Sequence, residues 1–104
     1  MTIPTQLVLR ALLADPAREM YGVEIGDAAE LPSGTVHPIL ARLEAAGWLE
    51  SRWEEVDVRE VGRPARRYYR LTSQGVAEAR DALAQAYRSR ARSRFGRPAP
   101  ETAP

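Results

Sequence analysis

The chain contains no cysteine and no lysine, and only one histidine and one phenylalanine among its 104 residues. Without cysteine there is no disulfide framework, no cysteine-ligated zinc, no iron–sulfur cluster and no thiol nucleophile. A single histidine, His37, excludes a His-rich metal site and a His-pair acid/base mechanism. No nucleophile, base and orienting group fall at a readable spacing, so neither an enzyme nor a cofactor is expected. No apolar run approaches the ~20 residues of a membrane span, and the N-terminus lacks a signal-peptide layout. A soluble, cytoplasmic chain without a membrane partner is expected, and the lack of cysteine fits that compartment. Large apolar side chains are also scarce. Hydrophobic residues make up 44% of the chain, but 17 of them are Ala. The length suits one compact domain burying roughly two-thirds of its unfolded surface, so a second copy is a natural supplement to the core.

The charge that is present is unevenly placed. The formal net charge is +1, yet residues 1–62 carry a balance of −6 and residues 63–97 a balance of +8. Such asymmetry points to a surface for phosphates or another polyanion. All 15 basic residues are Arg. Arg is the better bidentate partner of phosphate and guanine, although GC-rich codon usage would favour both Arg and Ala.

Patterning along the chain predicts mainly helix with a small β-hairpin. A first helix over Thr5–Ala14, with Leu7, Val8, Leu9, Leu12 and Leu13 on more than one face, is either fully buried or shared with a partner. Ala17 to Tyr21 reads as a connector, and Gly22–Glu30 as a short helix packing Val23, Ile25 and Ala29. Leu31-Pro32-Ser33-Gly34-Thr35 is a turn leading into a helix that ends at Ala46-Gly47. Thr35 is expected as its N-cap, which places Pro38 in the first turn, where its missing N–H costs nothing. Val36, Leu40 and Leu43 form the inward stripe, and His37, Pro38, Ala41 and Ala45 the outer face. Thr35 and Arg42 lie along the edge. Beyond Trp48 the period becomes two: Leu49, Ser51 and Trp53 on one strand, then Arg67, Tyr69 and Leu71 on another, joined by a long loop. Tyr69, Trp48 and Trp53 are expected in the core or at an interface, and Tyr68 as an outer cross-strand packer. A last helix opens at Thr72-Ser73, with Val76, Ala79, Leu83 and Tyr87 at seam-like spacing.

Helix, helix, turn, helix, hairpin and helix in that order make a winged helix-turn-helix with an added C-terminal helix. Residues 1–72 are read as the DNA-binding domain, 73–95 as a dimerisation helix and 96–104 as a disordered tail. The segments Tyr21-Gly22-Val23-Glu24-Ile25, Ser33-Gly34-Thr35-Val36-His37-Pro38-Ile39-Leu40-Ala41-Arg42-Leu43-Glu44, Gly47-Trp48-Leu49 and Gly62-Arg63-Pro64-Ala65-Arg66-Arg67-Tyr68-Tyr69-Arg70-Leu71-Thr72 together resemble the PadR family of bacterial transcriptional regulators. The match spans roughly residues 5–87. The resemblance implies a homodimeric repressor of the short type with one C-terminal helix, whose first and last helices build the dimer. It also implies small-molecule effectors bound near that interface. The family usually has Tyr where His37 stands.

On this reading Ser33, Gly34, Thr35, His37, Pro38, Arg42, Arg63, Arg66 and Arg67 contact an inverted-repeat DNA operator, and Leu7, Val76, Leu83 and Tyr87 line the dimer seam. The alternative is a winged-helix protein–protein module without DNA binding. Glu54, Glu55, Asp57 and Glu60 precede the wing arginines, and strand pairing can match acids with arginines there, lowering the positive field offered to DNA. Arg88, Arg90, Arg92, Arg94 and Arg97 read as either a solvated helix end or a second phosphate contact.

Overall fold

The computed structural model describes residues 1–92. The expected 96–104 tail, the end of the 73–95 helix, and Arg94 and Arg97 therefore lie outside the described residues. Eight elements follow one another: α1 (Ile3–Leu13), β1 (Met20–Tyr21), α2 (Gly22–Ala29), α3 (Ser33–Ala45), β2 (Leu49–Trp53), α4 (Val58–Val61), β3 (Arg67–Leu71) and α5 (Ser73–Ala91). This is the α+β winged-helix architecture, helices packed on a small antiparallel sheet.

α1 starts two residues earlier than the Thr5 expected. The Thr2 hydroxyl accepts the Thr5 N–H, and Pro4 sits in the first turn, where it has no helical N–H to lose. α1, α2 and α3 meet around Val8, Leu9, Leu12, Ile25, Val36 and Leu40, whose side chains are all but sealed from solvent. Ile39 and Leu43 extend the buried face of α3, so its inward stripe is the one the spacing predicts.

The N-terminus of α3 corrects the sequence reading. The helix begins at Ser33 with Pro32, not Thr35, in the cap position, and Pro38 lies inside it. Both Thr35 and Val36 donate their N–H to the Pro32 carbonyl, at 2.9 and 3.1 Å. Pro38 then cannot donate to the Gly34 carbonyl four residues back. The loss is tolerable because Gly34 and Pro38 are both exposed, leaving that carbonyl to water.

The sheet has three strands in the order β1-β3-β2, not the two of a simple hairpin. Met20 and Tyr21, expected in a connector, pair with Tyr69 and Tyr68. Across β3, Leu49 faces Leu71, Ser51 faces Tyr69 and Trp53 faces Arg67. The loop from β2 to β3 contains α4, a single turn that the Asp57 carboxylate caps and Gly62, in the left-handed region, closes. Leu49, Tyr69 and Leu71 point into the core, and Tyr68 packs edge-on against Tyr21. Trp53 is not in the core: it is 59% exposed. Val23 on α2 is exposed as well.

α5 is tied down at its start. The Thr72 hydroxyl accepts the Gly75 N–H and donates to the Gly47 carbonyl. Gly75 is required there, because a Cβ would overlap the Trp48 carbonyl of the turn between α3 and β2. Ala79 is sealed in the core, Val76 and Leu83 pack against it in part, and Tyr87 stands in solvent.

Candidate nucleic-acid interface

α3 presents Ser33, Gly34, His37, Pro38, Ala41 and Arg42 on its outer face, with Thr35 half-buried at its edge. No side chain caps the helix N-terminus. Its first N–H groups, on Ser33 and Gly34, therefore have no helical acceptor and are of the kind that phosphate oxygens take up. Space around Gly34 is open: a Cβ there would meet nothing within 4 Å.

His37 turns from α3 towards the start of α2. Its Cε1 lies 3.0 Å from where a Cβ on Gly22 would stand, so the imidazole occupies the room that the missing side chain leaves. Tyr21, Gly22, Val23, His37, Trp53, Arg66, Arg67 and Tyr69 together line a cleft of about 250 Å³ between α2, α3 and the wing. Three sequence-predicted contact residues, His37, Arg66 and Arg67, are thus brought to one place. Arg42, near the C-terminal end of α3, and Arg63, in the wing loop, do not line that cleft.

The arginines of the wing and sheet differ in how far carboxylates hold them. Arg63 forks onto Glu54, with Nη1–Oε1 at 2.7 Å and Nη2–Oε2 at 3.1 Å. Arg52 forks onto Glu19 at 2.7 and 2.8 Å, and Arg70 meets Glu50 at 2.9 Å. Of these, Arg63 with Glu54 is the kind of wing match the charge pattern anticipated; Glu19 and Glu50 lie outside the acids it named. The Arg63 guanidinium, helped by the Arg66 backbone N–H, holds the Glu54 carboxyl down at about 2 despite partial desolvation. Arg52 likewise lowers the Glu19 carboxyl. Three arginines lie over rings: Arg66 is 4.2 Å from the Tyr21 centroid, Arg67 is 5.2 Å from that of Trp53 and Arg52 is 5.2 Å from that of Tyr68. Arg67 has one looser carboxylate contact, Glu44 at 3.5 Å.

Tyr21, Val23 and Trp53 line the cleft although the sequence reading gave them no DNA role. The signal was the cross-strand register, which sets Trp53 opposite Arg67 and Tyr21 opposite Tyr68.

A family model described as the transcriptional regulator PadR-like family matches residues 11–81. The chain belongs to that family. It is a DNA-binding transcriptional regulator, and members of the PadR-like family are regulators, not enzymes. A PadR family transcriptional regulator from Eggerthella lenta is 28% identical, with a TM-score of 0.62 over 79% of this chain and 72% of that one. A PadR family transcription regulator from hypervirulent Clostridium difficile shares the fold at 21% identity and a TM-score of 0.68, over 90% of this chain and 98% of that one. The PcaV transcriptional regulator of Streptomyces coelicolor, solved with its natural ligand, superposes with a TM-score of 0.70 at 25% identity, over 96% of this chain and 64% of the longer one. No curated protein matches this PadR-like chain. Among its described residues no helix is long and apolar enough to cross a membrane, and no group of His, Asp and Glu is arranged to hold a metal.

Proposed function

We propose that this PadR-like protein is a repressor that works in the cytoplasm and binds an inverted-repeat operator as a homodimer. The observation that carries the reading is the convergence of His37, Arg66 and Arg67 beside the uncapped start of α3. α3 enters the major groove with Ser33, Gly34, Thr35, His37, Pro38 and Arg42 towards the bases and nearby phosphates. The wing brings Arg63, Arg66 and Arg67 to the adjoining backbone. Residues 1–72 then read DNA, and the helix over 73–95 dimerises.

The dimer seam runs along α1 and α5. Leu7, Val76 and Leu83 are only partly covered within one protomer, and Tyr87 is 67% exposed, as residues facing a second copy would be. Two recognition helices about 34 Å apart meet successive turns of one duplex face. A small-molecule effector that favours another spacing of the two helices releases the operator. The PcaV structure with its natural ligand lends that step support.

Selection from a pool of random duplexes at two salt concentrations tests the reading. Enrichment of an inverted repeat, with affinity falling steeply as salt rises, is the expected result. Absence of duplex binding even at low salt would overturn it and favour a winged-helix protein–protein module.

A further inference from the structure

The geometry points to the cleft between α3 and the wing as the seat of one DNA backbone strand, with the Trp53 indole against a deoxyribose and Arg66, Arg67 and His37 around the neighbouring phosphate. The inference rests on the DNA-binding reading above and adds a built site to it, with Trp53 and Tyr21 as contact residues.

The shape of the duplex sets the first constraint. A recognition helix in the major groove and a wing at the adjacent minor groove straddle the sugar–phosphate strand that separates the two grooves. That strand has to pass between the helix and the wing. In this protein the place is a cleft of about 250 Å³ to which α2 contributes Gly22, α3 His37, and the wing strands Trp53 and Arg67 with Arg66 beside them. A nucleotide backbone is itself two-sided, an apolar sugar face beside an anionic phosphate. The cleft offers both surfaces.

The state of the cations separates this cleft from the rest of the wing. Arg63, Arg52 and Arg70 spend their N–H edges on carboxylates at 2.7–2.9 Å. Arg66 and Arg67 lie over Tyr21 and Trp53, and the one carboxylate contact their guanidinium groups make among the described residues is the looser 3.5 Å approach of Arg67 to Glu44. Arg52 also lies over a ring, that of Tyr68, but its N–H edge is taken by Glu19. A guanidinium held by its face can turn its N–H edges to the oxygens of a phosphate, and the ring fixes it in place beforehand. Trp53 has the complementary property. It is 59% exposed at the end of a strand that has run past the core, so apart from Arg67 over its ring the indole is left largely to solvent.

Anisotropy titrations of a labelled duplex across a salt series, using the full-length protein, test the site. Trp53→Ala is expected to weaken binding about tenfold, which is about 1.4 kcal/mol, through loss of the indole's contact with the sugar, at every salt concentration. The slope of log affinity against log salt stays as in the wild type, because no charge is removed. Trp53→Phe restores most of the affinity. Arg67→Ala weakens binding and flattens the slope by about one unit. Addition of duplex to the wild type shifts the indole emission, and the shift disappears in Trp53→Ala, which retains only Trp48 packed against the core. Wild-type affinity in Trp53→Ala together with unchanged indole emission would overturn the site while leaving DNA binding intact. No duplex binding by the wild type would overturn the DNA reading itself. Should Trp53→Ala fold poorly, the wild-type emission and Trp53→Phe decide.

Discussion

Glu54 and Arg63 are joined at two points, 2.7 and 3.1 Å, and the same Glu54 carboxylate accepts the Arg66 backbone N–H at 3.2 Å. One acidic side chain thus closes the wing loop on both sides of Pro64. In the folded protein its carboxyl is held at about 2, against an ordinary value of 4.5. The unfolded chain binds the proton more readily, so the pair stabilises the fold above pH 4.5 and that contribution is lost as pH falls towards 2. Urea midpoints measured from neutral pH downwards should fall through this window. Glu54→Gln should start lower at neutral pH and fall less. A variant whose midpoints track the wild type in parallel would show that the wing pair does not contribute.

The same pair sets the charge that the wing can offer. While Arg63 is forked onto Glu54, its N–H edges are taken, and a phosphate contact requires leaving the carboxylate. Glu54→Gln removes the competitor and keeps the shape. Duplex affinity should rise at low salt, with the salt slope steeper by about one unit as one more counterion is released. An unchanged slope in salt-dependent titrations would remove Arg63 from the phosphate contacts.

The sequence carried most of the fold, because most of it is periodic. Val36, Leu40 and Leu43 repeat at helical spacing, and Leu49, Tyr69 and Leu71 alternate as half-buried strands do. What it did not carry is non-periodic or decided by tertiary contact. Met20–Tyr21 is too short for alternation and is a strand only because Tyr68 and Tyr69 pass beside it. The turn of α4 had readable signals, Asp57 before it and Gly62 after, but four residues leave no pattern between them. Alternation assigned Trp53 to the Leu49 face correctly, yet β2 outruns the core, so its far end is in solvent. The preference of Pro38 for a first turn misplaced the α3 cap, since an exposed Gly34 carbonyl makes a lost bond tolerable. Of the candidate interface, the α3 residues and wing arginines were named from motif and charge. The cleft that gathers His37, Arg66 and Arg67 was not, because it depends on Gly22 leaving room for an imidazole from another helix.

Gly75→Ala separates helix propensity from packing. In an exposed helix the change would stabilise by roughly 1 kcal/mol. Here the new methyl overlaps the Trp48 backbone carbonyl, which Thr72 also holds through its own N–H at 3.0 Å and hydroxyl at 3.4 Å. Backbone pinned in this way cannot give, and overpacking of this kind costs typically 1–3 kcal/mol. Net destabilisation of about 1 kcal/mol by chemical denaturation is expected, the clash outweighing the propensity gain. A neutral or stabilised variant would mean that α5 does not press on the α3–β2 turn.

Tyr87 gives the cleanest test of the dimer. It follows Leu83 by one helical turn and Val76 by three on α5, but differs from both in packing: Val76 and Leu83 rest partly on the protomer's own core, whereas Tyr87 is 67% exposed. Leu83→Glu would bury a charge against that core and confuse unfolding with dissociation. Tyr87→Glu places the charge where only a second copy would feel it. Sedimentation velocity should then show dimers for the wild type and monomers for Tyr87→Glu, with the far-ultraviolet circular dichroism of a helical protein preserved. Operator affinity should fall with the dimer, because a single recognition helix reads one half-site and loses the gain from tethering the second. A Tyr87→Glu protein that stays dimeric would take the seam away from this face of α5 and leave the partly covered Leu7 face of α1 as the place to look.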